Sequence, residues 1–381
     1  MRFLHTGDWH VGRTIRGRSR LDEFEAVLDE IVAIVRDEQV DAVMIAGDVY
    51  DQRAVTADAD RLVFETMLRL SDLGAAVIAI PGNHDSAARL EAIAPLMKRL
   101  GIDLVCRMLP PGDGGIVEVG ARDGSTTARI ACMPFVSPRR FSDAVQVFED
   151  TAKGYVDFDA GVGDLLRIYS GAFDDRAINL VMGHMFIHGS QPGGSEREVT
   201  IGEDYAVSAS RLPGTAHYVA LGHIHKPQAV RAAPCPARYC GSLIQLDFGE
   251  RGQKKSVVVV EATPGRKATT RQVPISGGRG LRDISGTLAD LERADVGDDY
   301  LRVTVEVDGP TPGIAEVVRG FLPNALEVRL EYERDETPRE EVLRSQSPRE
   351  QFATYYHHSH GVEPTPELLG AFDRVHEDVT T

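Results

Sequence analysis

The chain is short of positive charge. Lys and Arg number 42 against 58 Asp and Glu, a formal net charge of −16 over 381 residues. A free-standing protein that held nucleic acid on a broad basic surface would not have this balance, so composition taken alone argues against DNA. Cysteine is scarce: Cys106, Cys132, Cys235 and Cys240, with no C-x-x-C spacing. Cys235 and Cys240 leave a hairpin disulfide or half of a zinc site open. No second thiol pair completes a zinc site, so free, packed thiols in a reducing cytosol are expected. No apolar run approaches the roughly 18–20 residues of a membrane span. The opening MRFLHTGDWH has no charged region leading into an apolar one, so no secretory signal is expected either. What the chain does have is 42% hydrophobic and 26% charged residues. That is a globular composition, in a length that fits two or three domains.

Hydrophobic periodicity predicts an α/β protein. Arg2–His5 reads as a strand running into Gly7-Asp8, and Ala42–Ala46 as a strand that again ends in Gly-Asp. Between them, Phe24, Val27, Leu28, Ile31, Ile34 and Val35 fall on one face of a helix over 21–36. A helix over 61–73 and a strand over 76–80, ending in Pro-Gly-Asn-His, follow. Strand–helix alternation implies a partly parallel sheet covered by helices. From about Ile116 the texture turns to β, with strands expected at 116–119, 128–133, 178–182, 218–221, 257–261 and 269–273. They suggest a second sheet packed on the first. A hinge is expected at Gly277-Gly278-Arg279-Gly280. Beyond it a compact unit reads as helix 286–294, strand 300–307, helix 313–321 and strand 325–331. Two helices, from 347 or 348 to about 360 and from 366 to about 379, close the chain. Three segments result: 1–278, 279–338 and 339–381.

Five Gly-punctuated clusters stand just after predicted strands: Gly7-Asp8-Trp9-His10, Gly47-Asp48-Val49-Tyr50-Asp51, Gly82-Asn83-His84-Asp85, Gly183-His184 and Gly222-His223-Ile224-His225. Alone, a Gly-Asp or Gly-His pair signals only a turn. The conjunction of five, in order and at strand ends, points to a metal site. Side chains alternate along an extended segment, so Asp8 and His10 are expected to point the same way, as are His223 and His225. Carboxylate, imidazole and one amide oxygen suit Mn²⁺, Fe²⁺ or Zn²⁺ better than Ca²⁺ or Mg²⁺. Seven ligands are too many for one ion and right for two. Asp48 is the expected bridge, with Asp8, His10 and His225 completing one site and Asn83, His184 and His223 the other. Two ions roughly 3.5–4 Å apart stabilise both oxygens of an in-line phosphoryl displacement. His84 is expected to protonate the leaving oxygen or hold a non-bridging one. Asp51 is the candidate to hydrogen-bond that imidazole and keep it charged. The other seven histidines carry no assigned chemistry.

This series of motifs resembles the calcineurin-like metallophosphoesterases. The resemblance implies a four-layer core, two central β-sheets flanked by helices, with a dinuclear site at the strand ends. A narrower similarity, to the bacterial SbcD nucleases, rests on Asp8-Trp9-His10-Val11-Gly12-Arg13, Gly17-Arg18-Ser19-Arg20 and Ser195-Glu196-Arg197. It extends through residues 218–228, Tyr239-Cys240-Gly241-Ser242 and residues 252–257. The loop Gln52-Arg53-Ala54-Val55-Thr56 and the stretch Ser242-Leu243-Ile244-Gln245 depart from the pattern, and neither holds a ligand. The similarity implies a metal-dependent 3′→5′ exonuclease and endonuclease acting on duplex ends and hairpins, preferentially with Mn²⁺. It implies ligand roles for Asp8, His10, Asp48, Asn83, His184, His223 and His225, and a catalytic role for His84. It implies a capping domain over 279–338 and, in the closing helices, a surface that grips the SMC-like ATPase SbcC. A homodimer, and a cytoplasmic, nucleoid-associated location away from membranes, go with it.

Local charge offers a route for an acidic chain to hold DNA. Arg13, Arg16, Arg18 and Arg20 follow the first motif and are candidates for phosphate contact; Lys226, after the last ligand, is another. Residues 331–381 hold twelve acidic residues and five arginines, which either face a basic coiled coil or keep the tail soluble. Two other readings compete: a small-molecule phosphodiesterase or nucleotidase, and an architectural subunit that tethers ends. The hundred residues after 279 disfavour the former, and the intact ligand set disfavours the latter as a sole role.

Overall fold

The structure, a computed structural model, describes residues 1–145, 148, 157–332, 347–360 and 362–380. Two six-stranded sheets form its centre. In the first, the strands run Arg266–Pro274, Ser256–Thr263, Arg2–Thr6, Ala42–Ala46, Ala76–Ile80, Ile102–Leu104. In the second they run Gln228–Ala229, Ala237–Tyr239, Tyr218–Gly222, Ile178–His184, Thr127–Met133, Ile116–Gly120. The central strands are parallel: Leu4 pairs with Val43 and Val43 with Val77 in the first sheet, Val219 with Val181 and Ile130 with Leu180 in the second, while Ser256–Thr263 runs antiparallel to both its neighbours.

The central strands are mostly apolar because both faces are covered. Ala42–Ala46 is buried at every position. Its period of two sends Val43 and Ile45 outward, against the helices Leu21–Asp37 and Ala57–Asp72, and Ala42, Met44 and Ala46 inward. The inward layer meets Leu180, Met182, Tyr218 and Ala220 of the second sheet. On the far side Val181, Val219 and Leu221 pack on Leu165, Leu166 and Tyr169 of the helix Phe158–Gly171. The result is four layers, helix–sheet–sheet–helix. Each fully buried aliphatic side chain in them contributes about 1.5–3 kcal/mol relative to exposure.

Several elements depart from the sequence expectation. The second helix begins at Ala57, four residues before its apolar stripe, because the Thr56 hydroxyl accepts the Ala59 N–H and caps it. The helix Ala87–Arg99, unforeseen from periodicity, carries Pro95 inside it and buries only Leu90 and Met97. The hinge region is followed not by a helix at 286 but by the strand Leu281–Gly286, then a five-residue helix Leu288–Glu292. A capping box between Thr287 and Asp290 starts that helix and stops the strand. This strand pairs in parallel with Tyr300–Glu306, which pairs with Ala325–Glu331. Helix Ile314–Phe321 helps cover the small sheet over a core of Leu301, Val303, Val305 and Val318. The chain passes from the first sheet to this third one between Pro274 and Leu281. The boundary expected at 338–339 lies outside the described residues.

The closing helices Pro348–His360 and Pro366–Thr380 pack on each other, with Phe352 stacked on Phe372 at 4.3 Å between centroids and Arg349 paired with Asp373. Among the described residues no helix is long and apolar enough to cross a membrane. All four cysteines are buried and free.

Candidate metal centre

Parallel strands in both sheets deliver their C-terminal ends to one place, where open α/β folds put their sites. Asp8 and His10 follow Arg2–Thr6, Asp48 follows Ala42–Ala46, and Asn83 and His84 follow Ala76–Ile80. From the second sheet come His184, which ends its strand, and His223 and His225, which follow theirs. The glycines before these residues allow the loops to touch. A Cβ on Gly82 would lie 2.1 Å from Asp48 Oδ1, and one on Gly222 only 1.9 Å from the Ala46 carbonyl oxygen.

The loops are not extended. Asp8, His10 and Asp48 have φ of 48°, 50° and 49°, and His223 has 102°. His223 and His225 enter different groups, and positive φ rather than strand alternation therefore sets where Asp8, His10 and His223 point. Such conformations cost on the order of 1–3 kcal/mol each for a non-glycine residue and persist only where the surroundings enforce them. Trp9, the sole tryptophan, is one such enforcement: it is fully buried in the first sheet's outer core, with its indole N–H donated to Thr6 Oγ1 at 2.9 Å.

Hydrogen-bond partners fix which ring nitrogens carry protons. His184 Nδ1 lies 2.8 Å from the Ala46 carbonyl and His223 Nε2 3.0 Å from that of Thr200, so each must donate there. The opposite nitrogens, His184 Nε2 and His223 Nδ1, then present lone pairs, 3.3 Å apart and 3.0 and 2.8 Å from Asn83 Oδ1. Asp48 Oδ2 stands 3.4 Å from the same His184 Nε2. A second convergence lies beside it. His225 Nδ1 faces the Glu250 carboxylate at 3.0 Å, leaving its Nε2 pointed at His10 Nε2, 3.1 Å away. Asp8, His10, Asp48 and His225 each bring a ligand atom within 4.8 Å of the others. Asp48 Oδ2, 3.6 Å from His10 Nε2, lies between the two groups.

Electrostatics agree with an anionic, lone-pair-rich pocket. Burial opposes charge on Asp48, but the imidazoles of His184, His10 and His84 outweigh it and hold the carboxyl well below its usual range. Burial raises Asp8 to about 6 and lowers His10 to about 4 and His223 to about 3. Those two imidazoles are neutral at physiological pH, as metal ligation requires. His184 and His225 are the exceptions: burial works against charge on both, but Asp48 and Asp8 raise His184 to about 9 and Glu250 raises His225. Their extra protons sit where divalent cations would. Converging lone pairs, a shared carboxylate and ring N–H groups anchored on carbonyls and a carboxylate fit a pair of divalent ions.

Residues 1–227 match the family described as calcineurin-like phosphoesterase. Three similar proteins are each named as the SbcD component of the nuclease SbcCD. That of Bacillus subtilis (strain 168) is 37% identical over 289 residues, covering 74% of this chain and 71% of its own. Those of Rhodobacter capsulatus and Escherichia coli (strain K12) are 29% and 28% identical, over 87% and 91% of this chain and 86% and 88% of theirs. The chain belongs to the SbcD branch of the calcineurin-like phosphoesterases. Residues 278–360 of this phosphoesterase also match a family described as type 5 capsule protein repressor C-terminal domain. It is an enzyme, a metal-dependent phosphoesterase with a two-metal centre.

Beside the phosphoesterase centre, His84 stacks edge-on against His10, 4.6 Å between centroids. Its Nδ1 donates to the backbone carbonyl of Asp51 at 2.6 Å, not to that residue's carboxylate. The Asp51 carboxylate faces His10 Nδ1 at 3.4 Å and Arg13 at 3.3 Å instead. The expected Asp51–His84 ion pair is thus replaced by a neutral contact, and burial lowers the His84 value.

The arginine loop also sits differently from expectation. Arg20 is buried, with its guanidinium on both Glu23 oxygens at 3.0 and 2.7 Å, and is withdrawn from any ligand. Arg16 pairs with Glu327 and, at 3.4 Å, with Asp247; Arg18 donates to Asn324 Oδ1 at 3.0 Å. Arg18, Arg20 and Arg279 all crowd the Tyr300 ring at 5.3–5.6 Å. Three of the four arginines hold the third sheet's unit. Only Arg13 reaches toward the centre, and half-buried Lys226 bonds Gln191 at 2.8 Å.

Sequence reading gave no role to Asp85, Glu196 or Glu250. Asp85 accepts the N–H groups of Gly82, Val49 and Tyr50, tying the second and third motif loops together. Glu196 accepts the His225 N–H at 2.8 Å. Asp85 was visible as the last letter of its motif; Glu250, in a loop 25 residues past His225, gave no signal.

Proposed function

We propose that this phosphoesterase is the nuclease subunit of a complex with an SMC-like ATPase, cutting duplex DNA 3′→5′ from its ends and opening hairpins, with Mn²⁺ as its metal. The observation that carries the reading is the pair of convergent lone-pair sets sharing Asp48, flanked by His84, in a chain whose relatives are named as nuclease subunits. When bound, two divalent ions supply charge that acidifies water and stabilises both oxygens of an in-line displacement at phosphorus.

The chain's own residues do the rest. Asp8, His10, Asp48 and His225 form one ligand set, and Asp48, Asn83, His184 and His223 the other. Asp51 orients His10, and its carbonyl holds the His84 Nδ1–H, so His84 meets substrate through Nε2. An incoming phosphodiester anion favours the protonated imidazole, which then delivers a proton to the leaving oxygen. Arg13 and Lys226 remain as phosphate contacts. Arg197, exposed and acting electrostatically on His84, joins them. The segment 279–338 caps the nuclease domain 1–278. The helices of 339–381 bind the ATPase, and their exposed Tyr355 and Val375 offer apolar contacts to a coiled coil. The subunit works as a homodimer in the cytoplasm, at the nucleoid.

The acidic chain holds DNA weakly on its own, since its loop arginines serve its own third sheet. End-labelled blunt and hairpin duplexes, incubated with Mn²⁺ with and without the ATPase subunit, test this. Degradation is expected, losing activity more steeply with salt when the ATPase is absent. Intact DNA alongside hydrolysis of nucleotide phosphates would replace this reading with a small-molecule phosphodiesterase.

A further inference from the structure

The loop Ser242–Lys255 places a charged network behind the metal centre. Glu250 is completely buried, yet it is ringed by polar groups. Its Oε2 receives Lys255 Nζ at 2.6 Å, Ser242 Oγ at 3.0 Å and the Leu246 N–H at 3.2 Å. Its Oε1 receives the Ser195 hydroxyl and lies 3.0 Å from His225 Nδ1. Ser195 Oγ is itself 2.6 Å from that same nitrogen. Lys255, also buried, further donates to the His225 carbonyl at 3.0 Å.

A buried carboxylate beside a buried ammonium is ionised, and an ionised carboxylate only accepts. Every group around Glu250 must therefore donate to it, His225 Nδ1 included. With the ring neutral, as a metal ligand must be, that leaves the lone pair of His225 on Nε2, the atom facing His10 Nε2 across 3.1 Å. Unlike His184 and His223, whose tautomers are set by backbone carbonyls, His225 depends on side chains for its orientation. Backbone anchors survive substitution; this one does not.

We propose that Glu250, held by Lys255 and Ser195, is a positioning residue that fixes the His225 tautomer and so builds one of the two metal sites, the one formed with Asp8, His10 and Asp48. The proposal rests on the two-metal reading of this centre. Glu250→Gln is the discriminating change, because it keeps shape while replacing an acceptor-only carboxylate, with its charge opposite Lys255, by an amide that can donate. The amide oxygen turns to Lys255, and the amide NH₂ faces His225. The ring must then accept at Nδ1 and carry its proton on Nε2, aimed at the position of the ion.

Mn²⁺ titration of the metal-free full-length chain by calorimetry, with electron paramagnetic resonance to detect coupling between paired ions, reads this directly. The wild-type chain should bind two ions with spin coupling. Glu250→Gln should bind one with unchanged affinity and the other roughly 10–100-fold more weakly, with the coupling absent at limiting Mn²⁺. Two sites of wild-type affinity in the variant would overturn the positioning role. A wild-type chain that binds no coupled pair would overturn the two-metal reading instead. Nitrogen-15 NMR of histidine-labelled wild-type protein without metal needs no variant to fold. His225, assigned by its loss in His225→Asn, should carry its single proton on Nδ1 at a pH where the ring is neutral, and a single proton on Nε2 there would refute the proposal.

Discussion

Gly222→Ala is the smallest change that should damage the metal centre without touching a ligand. The new Cβ would stand 1.9 Å from the Ala46 carbonyl oxygen and 2.9 Å from His184 Nδ1. Both neighbours are constrained, since Ala46 ends a fully buried strand and His184 is wedged behind it. Normal contact requires more than 1 Å of separation between the two sheets at this point, or rotation of the His184 ring away from Ala46. Overpacking of this kind costs about 1–3 kcal/mol. Loss of the 2.8 Å bond that sets the His184 tautomer adds about 0.5–1.5 kcal/mol. The functional loss should be larger in relative terms: roughly 10–100-fold in affinity for the ion held with Asn83 and His223, as expected when an orienting hydrogen bond is removed. Urea denaturation of the metal-free chain reads the first quantity and Mn²⁺ titration the second. Gly171→Ala, at a helix end where an added Cβ meets nothing within 4 Å, is the control and should leave Mn²⁺ affinity unchanged and raise stability by about 0.4–1 kcal/mol. A Gly222→Ala protein with wild-type Mn²⁺ affinity would show that sheet-to-sheet contact at Ala46 does not set the geometry of the centre.

Three further outcomes are expected. His84→Ala should lower the rate of duplex cleavage by about 10²–10⁴ while Mn²⁺ affinity stays within a few-fold, and a full-rate variant would remove His84 from the chemistry. His5 is sealed between the sheets, bonded to Tyr218 and the Leu221 carbonyl, and burial lowers it to about 3. Since the unfolded ring binds a proton below about 6.5 and the native one does not, stability rises with pH from about 3 to 6.5 and is flat above. Acidification from pH 7.5 to 5 should therefore cost the wild type about 2 kcal/mol more than His5→Gln, and equal pH slopes in denaturation would contradict the burial argument. Arg16→Ala with Arg18→Ala should leave the slope of log affinity against log salt for DNA unchanged, because both side chains serve the third sheet; had either held a phosphate, its removal would lower that slope by about 0.9.

Much of the centre was legible in the chain alone because ligand chemistry dictates residue type. A metal site needs carboxylates and imidazoles, a parallel sheet delivers them at strand ends, and closely approaching loops need glycine. Asp8, His10, Asp48, Asn83, His184, His223 and His225 could thus be picked out in order, along with the runs that form both sheets. Three things depended on contacts between residues far apart in sequence. Asp8, His10 and His223 take left-handed backbone where alternation predicted an extended one, enforced by packing around residues such as Trp9. The four arginines after the first motif looked available to phosphate, yet Glu23, Glu327 and Asn324 claim three of them, the last two partners about 300 residues away. Glu250 gave no sequence signal, since a buried carboxylate becomes meaningful only when Lys255, Ser195 and His225 close around it. Residue type and strand periodicity are local properties, and the sequence carries them openly. Tautomer, charge pairing and left-handed backbone are set by neighbours, and only the tertiary structure brings those neighbours together.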